Sequence, residues 1–149
     1  MLVGIQISHR KILIGFFYTF LSISLVKAQN LDPGRFEETI LAFEQEDALN
    51  PPPENAIVLT GSSSIARWND KAKNALAPLT VIPRGFGGSV MGDVLHYLDR
   101  VALAYKPRAI LIYEGDNDTA YNLSEDLIVE QFEQIVSKVA QELPRTRIY

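Results

Sequence analysis

The chain has 149 residues, with 14 Lys and Arg against 18 Asp and Glu, a net charge of −4, and no cysteine. That length accommodates one domain. The composition excludes disulfides, thiol nucleophiles and Cys-ligated metals, and an acidic chain without a basic patch is unsuited to nucleic acid or anionic membrane surfaces.

In chain order, positive charge at His9-Arg10-Lys11 precedes an apolar run over residues 12–26, and Val26-Lys27-Ala28 offers small residues at cleavage spacing. That order reads as a secretory signal peptide over residues 1–28. The alternative, an uncleaved anchor, suffers from the shortness of the apolar run for a bilayer span. On the signal reading the mature chain begins near Gln29 and is exported, periplasmic or secreted as in a bacterial envelope, with no stable membrane insertion after cleavage. Removing Arg10, Lys11 and Lys27 leaves 11 basic against 18 acidic residues, a net charge of −7.

Asp32-Pro33 opens the first helix, as a cap followed by a proline tolerated in the first turn. Phe36, Ile40 and Phe43 follow at helical spacing, and Asn50-Pro51-Pro52-Pro53 ends the segment. Residues 56–60 read as strand one, residues 62–68 as a short helix and residues 70–77 as a second short or irregular one. Residues 79–82 read as strand two, ended by Pro83 and a glycine loop. Val90, Met91, Val94, Leu95, Leu98 and Val101 form one helical face, broken at Lys106-Pro107. Residues 109–113 form a continuous apolar run suited to a central parallel strand. Ser124 caps a helix carrying Leu127, Ile128, Phe132, Ile135, Val136 and Val139, which stops at Leu143-Pro144, and residues 147–149 look like the opening of a fourth strand. The expected class is α/β, a three-layer α/β/α (flavodoxin-like) parallel sheet, incomplete at the C-terminus, with residues 29–149 the N-terminal portion of a single domain.

Three loops follow apolar runs and should emerge at the C-terminal edge of the sheet, where ligands bind in open α/β sheets. Gly61-Ser62-Ser63-Ser64-Ile65 lacks the second glycine of a nucleophile elbow and the lysine of a P-loop. A serine at such a turn can be a nucleophile or merely cap a helix. Gly85-Phe86-Gly87-Gly88 fails the dinucleotide pattern because Val90 occupies the last glycine position, yet it exposes N–H donors suited to an oxyanion or anion site. Asp116-Asn117-Asp118 lacks the glycine and distal glutamate of a calcium loop, and an amide at a strand end is a recurrent oxyanion donor. Asn117-Asp118-Thr119 and Asn122-Leu123-Ser124 also match the glycosylation acceptor pattern, which carries little meaning in a bacterium.

Taken together, the three blocks resemble the SGNH/GDSL hydrolase superfamily, and the whole mature chain looks like its exported GDSL-like lipases and acylhydrolases. The family's Gly-Asp-Ser block is matched by Gly61-Ser62-Ser63, which implies Ser63 as nucleophile with Ser62 in the aspartate position. Its second block ends in an oxyanion-donating glycine, matched by Gly88. Its Gly-x-Asn-Asp block is matched by Gly115-Asp116-Asn117-Asp118, with Asn117 as a second donor. Pro83 stands where the family often has asparagine, which removes one loop-bracing amide. The family's Asp-x-x-His block, which supplies the general base, stands near the C-terminus of its members, and this chain is expected to end before it. Neither His9, in the leader, nor His96, expected as a structural or partly buried residue on the long helix, substitutes for it. The resemblance thus implies a serine esterase acting on lipid, aryl or acetylated-carbohydrate esters, with no metal or cofactor, and a fragment nearly inactive by itself. The competing reading is a non-catalytic exported module that binds a phosphate or sugar at its serine and glycine loops.

Overall fold

The computed structural model describes residues 31–149, so the leader expected over residues 1–28, and His9 within it, lie outside the described residues. The elements are α1 (Glu37–Leu49), β1 (Ile57–Gly61), α2 (Ser63–Ala66), α3 (Ala72–Ala75), β2 (Val81–Gly85), α4 (Met91–Val101), β3 (Ala109–Tyr113), α5 (Asp116–Ala120), α6 (Glu125–Glu142) and β4 (Arg147–Ile148). Asp32 caps a single 3-10 turn that leads into α1, its Oδ1 accepting from Gly34 N–H at 2.9 Å. Ser124 caps α6 in the same way, through Leu127 N–H at 3.3 Å.

The strands are all parallel, in the order β2-β1-β3-β4. The two inner strands are covered on both faces, which is why both read as nearly unbroken apolar runs. Val58 lies in register with Ile82 and Ile110, and Leu59 with Pro83 and Leu111. Successive strand side chains point to opposite faces, so these rows feed two different layers. Val58, Ile82 and Ile110 pack against Ile40 of α1, Val94 and Leu98 of α4, and Ile135 and Val139 of α6. Leu59 and Val81 pack on the other face against Ile65 and Ala72 of α2 and α3. The three-layer α/β/α arrangement expected from the sequence is present. Among the described residues no helix is long and apolar enough to cross a membrane.

Two elements differ from expectation. Strand β2 runs through Pro83 to Gly85 instead of ending before the proline. Thr80 O accepts from Ile57 N–H and Phe86 N–H donates to Gly61 O, each at 2.9 Å, so the even-numbered residues of β2 face β1. Pro83 therefore turns its nitrogen to the open edge, the position in a sheet where a missing N–H costs no ladder bond. The acidic Asp116-Asn117-Asp118 segment is not a loop but the first turn of α5.

Candidate active site

The serine turn is built by a close approach of two strand ends. Gly61 has φ of 129°, and a Cβ there would lie 2.1 Å from Tyr113 O. That approach lets Ser62 N–H donate to the same Tyr113 oxygen at 3.1 Å. The chain then enters α2, with Ser62 O accepting from both Ile65 N–H and Ala66 N–H at 3.0 Å. Ser62 is buried, at 4% exposure, whereas Ser63 and Ser64 are half-buried.

The glycine loop is held against this turn from both sides. Asn69, just beyond α2, clamps Gly85 with its carboxamide: Oδ1 accepts from Gly85 N–H at 3.0 Å and Nδ2 donates to Gly85 O at 2.8 Å. Gly87 follows, exposed, and a Cβ placed on it would meet Ser63 Cβ at 3.8 Å. Gly88 adopts φ of 91° with open space where a side chain would stand. Clustered backbone donors beside a hydroxyl of this kind can hold an anion or a developing oxyanion.

Asn117 ties the loops together. Its Nδ2 donates to Ser62 Oγ at 2.5 Å and to Ser89 O at 2.8 Å, which uses both amide hydrogens. One residue from each of the three loops thus meets at a single carboxamide. The direct partner on the serine turn is Ser62, not Ser63. Beside this node, Ser89 Oγ donates to Glu114 Oε1. The Glu114 carboxyl is pushed up to about 8, first by burial and further by the nearby Asp118 and Asp93, while the Ser89 hydroxyl pulls the other way. Its Oε2 is buried and has no partner among the described residues. Asp118 is fully buried, and both its oxygens accept from Met91 N–H, at 3.0 and 3.2 Å.

His96 is exposed on α4, edge-on to Tyr97 with ring centroids 4.6 Å apart, so of the two expectations, structural or partly buried, the burial does not hold. Sequence reasoning missed Asn69, Glu114 and Ser89. The glycine loop does have a bracing amide, supplied by Asn69 from the preceding loop and not from the Pro83 position. Asn69 left no signal, because its partner lies 16 residues away. Glu114 left one: an acid at the end of an apolar strand, where burial is expensive.

No protein-family model matches the chain, and no curated protein matches it by sequence. Solved structures do. A GDSL-like lipase from Bacteroides thetaiotaomicron superposes with a TM-score of 0.64 at 17% identity, over 78% of this chain and 57% of that one. A psychrotrophic esterase from a Pseudoalteromonas species gives 0.53 at 20% identity, over 64% and 58%. The chain has the GDSL-hydrolase fold. A Streptococcus pneumonia protein named for platelet activating factor superposes with a TM-score of 0.65 at 22% identity, over 75% of this chain and 51% of that one. The chain therefore spans little more than half the length of the GDSL-fold structures it matches.

Proposed function

We propose that the chain is the N-terminal portion of an exported SGNH/GDSL-type ester hydrolase, with Ser63 as nucleophile and the Gly88 N–H and Asn117 amide as oxyanion donors. The observation that carries this reading is the Asn117 carboxamide bonded at once to Ser62 and Ser89, one residue on each of the other two loops. It supports a common site in which order, spacing and strand context all match the three-block pattern. Ser62 is buried and its Oγ is committed to Asn117, which favours half-buried Ser63, facing Gly87, as the serine that meets substrate.

In the mechanism, Ser63 Oγ attacks the ester carbonyl carbon and loses its proton to a general base. The tetrahedral oxyanion is held by Gly88 N–H, Ser63 N–H and the Asn117 amide, the alcohol leaves with a proton, and water cleaves the acyl-enzyme. Both Asn117 hydrogens are committed within the protein, so donation to the oxyanion requires the Ser62 bond to be shared or released. In the SGNH pattern the base is the histidine of a C-terminal Asp-x-x-His block, and a serine without that base keeps only residual turnover. The substrate class is a carboxylic ester of a lipid, an aryl alcohol or an acetylated carbohydrate. Export rests on the leader at residues 1–28.

The test is ester hydrolysis by the product of the complete reading frame, with p-nitrophenyl acetate as probe. Ser63→Ala is expected to lower kcat by at least about 1,000-fold. Ser62→Ala and Ser64→Ala should each retain within about tenfold, because neither removes the nucleophile. Comparable loss in all three, or none in Ser63→Ala, refutes the assignment.

A further inference from the structure

We propose that Glu114 is a positioning residue for Asn117: its carboxyl group anchors the Ser89 side chain, and the Ser89 carbonyl oxygen in turn aims the Asn117 carboxamide at the serine turn. The catalytic meaning of this relay rests on the reading of Asn117 as an oxyanion donor; the relay itself does not.

The geometry is a chain of contacts across three elements. Glu114 stands at the exit of β3, directly before Gly115, and takes the Ser89 hydroxyl on Oε1. Ser89 is fully buried, and its own carbonyl accepts from Asn117 Nδ2 at 2.8 Å. Asn117 closes the chain on Ser62 Oγ at 2.5 Å. A buried carboxyl that served only to fill space would be replaced at a gain by an apolar side chain. This one instead keeps one oxygen on the residue that orients the amide and the other buried without a partner among the described residues.

The charged groups facing Glu114 are Asp118 of α5 and Asp93 of α4. Asp93 is already paired with Arg35 at 2.5 Å, and both oxygens of Asp118 are turned to Met91 N–H. Glu114 is thus the third of three neighbouring acids, and burial beside the other two pushes its carboxyl up to about 8. Since Ser89 Oγ donates to Oε1, the acid proton belongs on Oε2. Ionisation puts a third negative charge beside Asp118. It also turns the Ser89 bond into a shorter, charge-assisted one, which drags the Ser89 main chain and with it the amide that Asn117 presents.

The decisive experiment follows the Asn117 side-chain N–H signals of the intact, 15N-labelled chain by NMR, assigned by their loss in Asn117→Asp. The Glu114 carboxyl carbon is titrated in the same samples. Both Asn117 signals are expected to move with the Glu114 midpoint, near 8. Glu114→Gln should hold them at their low-pH positions throughout. Ser89→Ala should abolish the movement while Glu114 still titrates, which separates a relay through Ser89 from the bare field of the carboxylate. Asn117 signals that stay fixed as Glu114 ionises overturn the proposal, as does a response that survives Ser89→Ala. A Glu114 midpoint at its ordinary value of 4.5 overturns it too. No hydrolysis is read, so a wrong nucleophile leaves this result untouched, and a failed relay leaves the esterase assignment standing.

Discussion

A single missing methyl group sets the height of the serine turn. With Gly61 at φ of 129° and a would-be Cβ 2.1 Å from Tyr113 O, any side chain there must both adopt a strained backbone and push the ends of β1 and β3 apart. Gly61→Ala is expected to cost about 2–5 kcal/mol, the sum of backbone strain and overpacking against a main-chain atom. The measurement is a urea melt, in which the midpoint falls at unchanged slope. A loss below about 0.5 kcal/mol, the level of an ordinary surface change, would mean the two strand ends separate freely. The same glycine lets Ser62 reach Tyr113 O with its N–H and Asn117 with its hydroxyl, so local strain and site geometry have one origin.

At the scale of elements, α4 is the helix that aligns the second loop with the third. Its first turn is capped twice: Asp93 accepts from Val90 N–H at 2.8 Å, and Asp118 reaches from α5 to Met91 N–H. Asp118→Ala leaves a buried N–H without its partner and is expected to cost about 1–3 kcal/mol. It should also speed amide exchange in the first turn of α4 more than in α6, whose own cap is Ser124. Equal exchange in both helices would show that Asp93 caps α4 unaided.

Most elements were legible in the sequence because their periodicity is strong. The run at residues 109–113 is β3, and the 3.6-residue repeat ending at Val101 is α4. Pro83 misled because a proline ends a central strand but not an edge one, and the edge position of β2 is a property of the whole sheet. Asp116-Asn117-Asp118 misled because a polar triplet reads as loop, whereas here Asp118 is withdrawn into the core to serve another helix. Within the site, the three blocks stood out through their glycines and strand context. The contacts among them, Asn117 to Ser62 and Ser89 to Glu114, join residues 55 and 25 positions apart and have no local pattern.

For the molecule as a whole, the N-terminal helix is fastened to the sheet through a buried cation. Arg84 is 4% exposed on β2, yet it pairs with Asp47 of α1, donates to Tyr105 OH at 2.8 Å and to Pro83 O at 2.6 Å, and lies over the Phe43 ring at 5.0 Å. Arg84→Ala takes the cation from Asp47 and leaves that carboxylate with the Tyr105 hydroxyl, which donates to its Oδ2 at 2.6 Å. It is expected to cost about 3–5 kcal/mol, as removal of one partner of a buried pair does. Limited proteolysis should then release α1 first, at the connector of Pro51, Pro52 and Pro53. Retained stability with α1 still protected would show that the apolar contacts of Ile40 alone hold it.

That arginine and Asn69 have a joint consequence at the margin of the sheet. The odd-numbered residues of β2 face outward. Pro83 has no N–H to offer and its carbonyl is taken by Arg84, while the N–H and carbonyl of Gly85 are both taken by the Asn69 carboxamide. An approaching strand finds almost nothing to pair with along this side. The sheet therefore offers few free backbone groups at this margin, which disfavours strand exchange or fibrillar stacking along it.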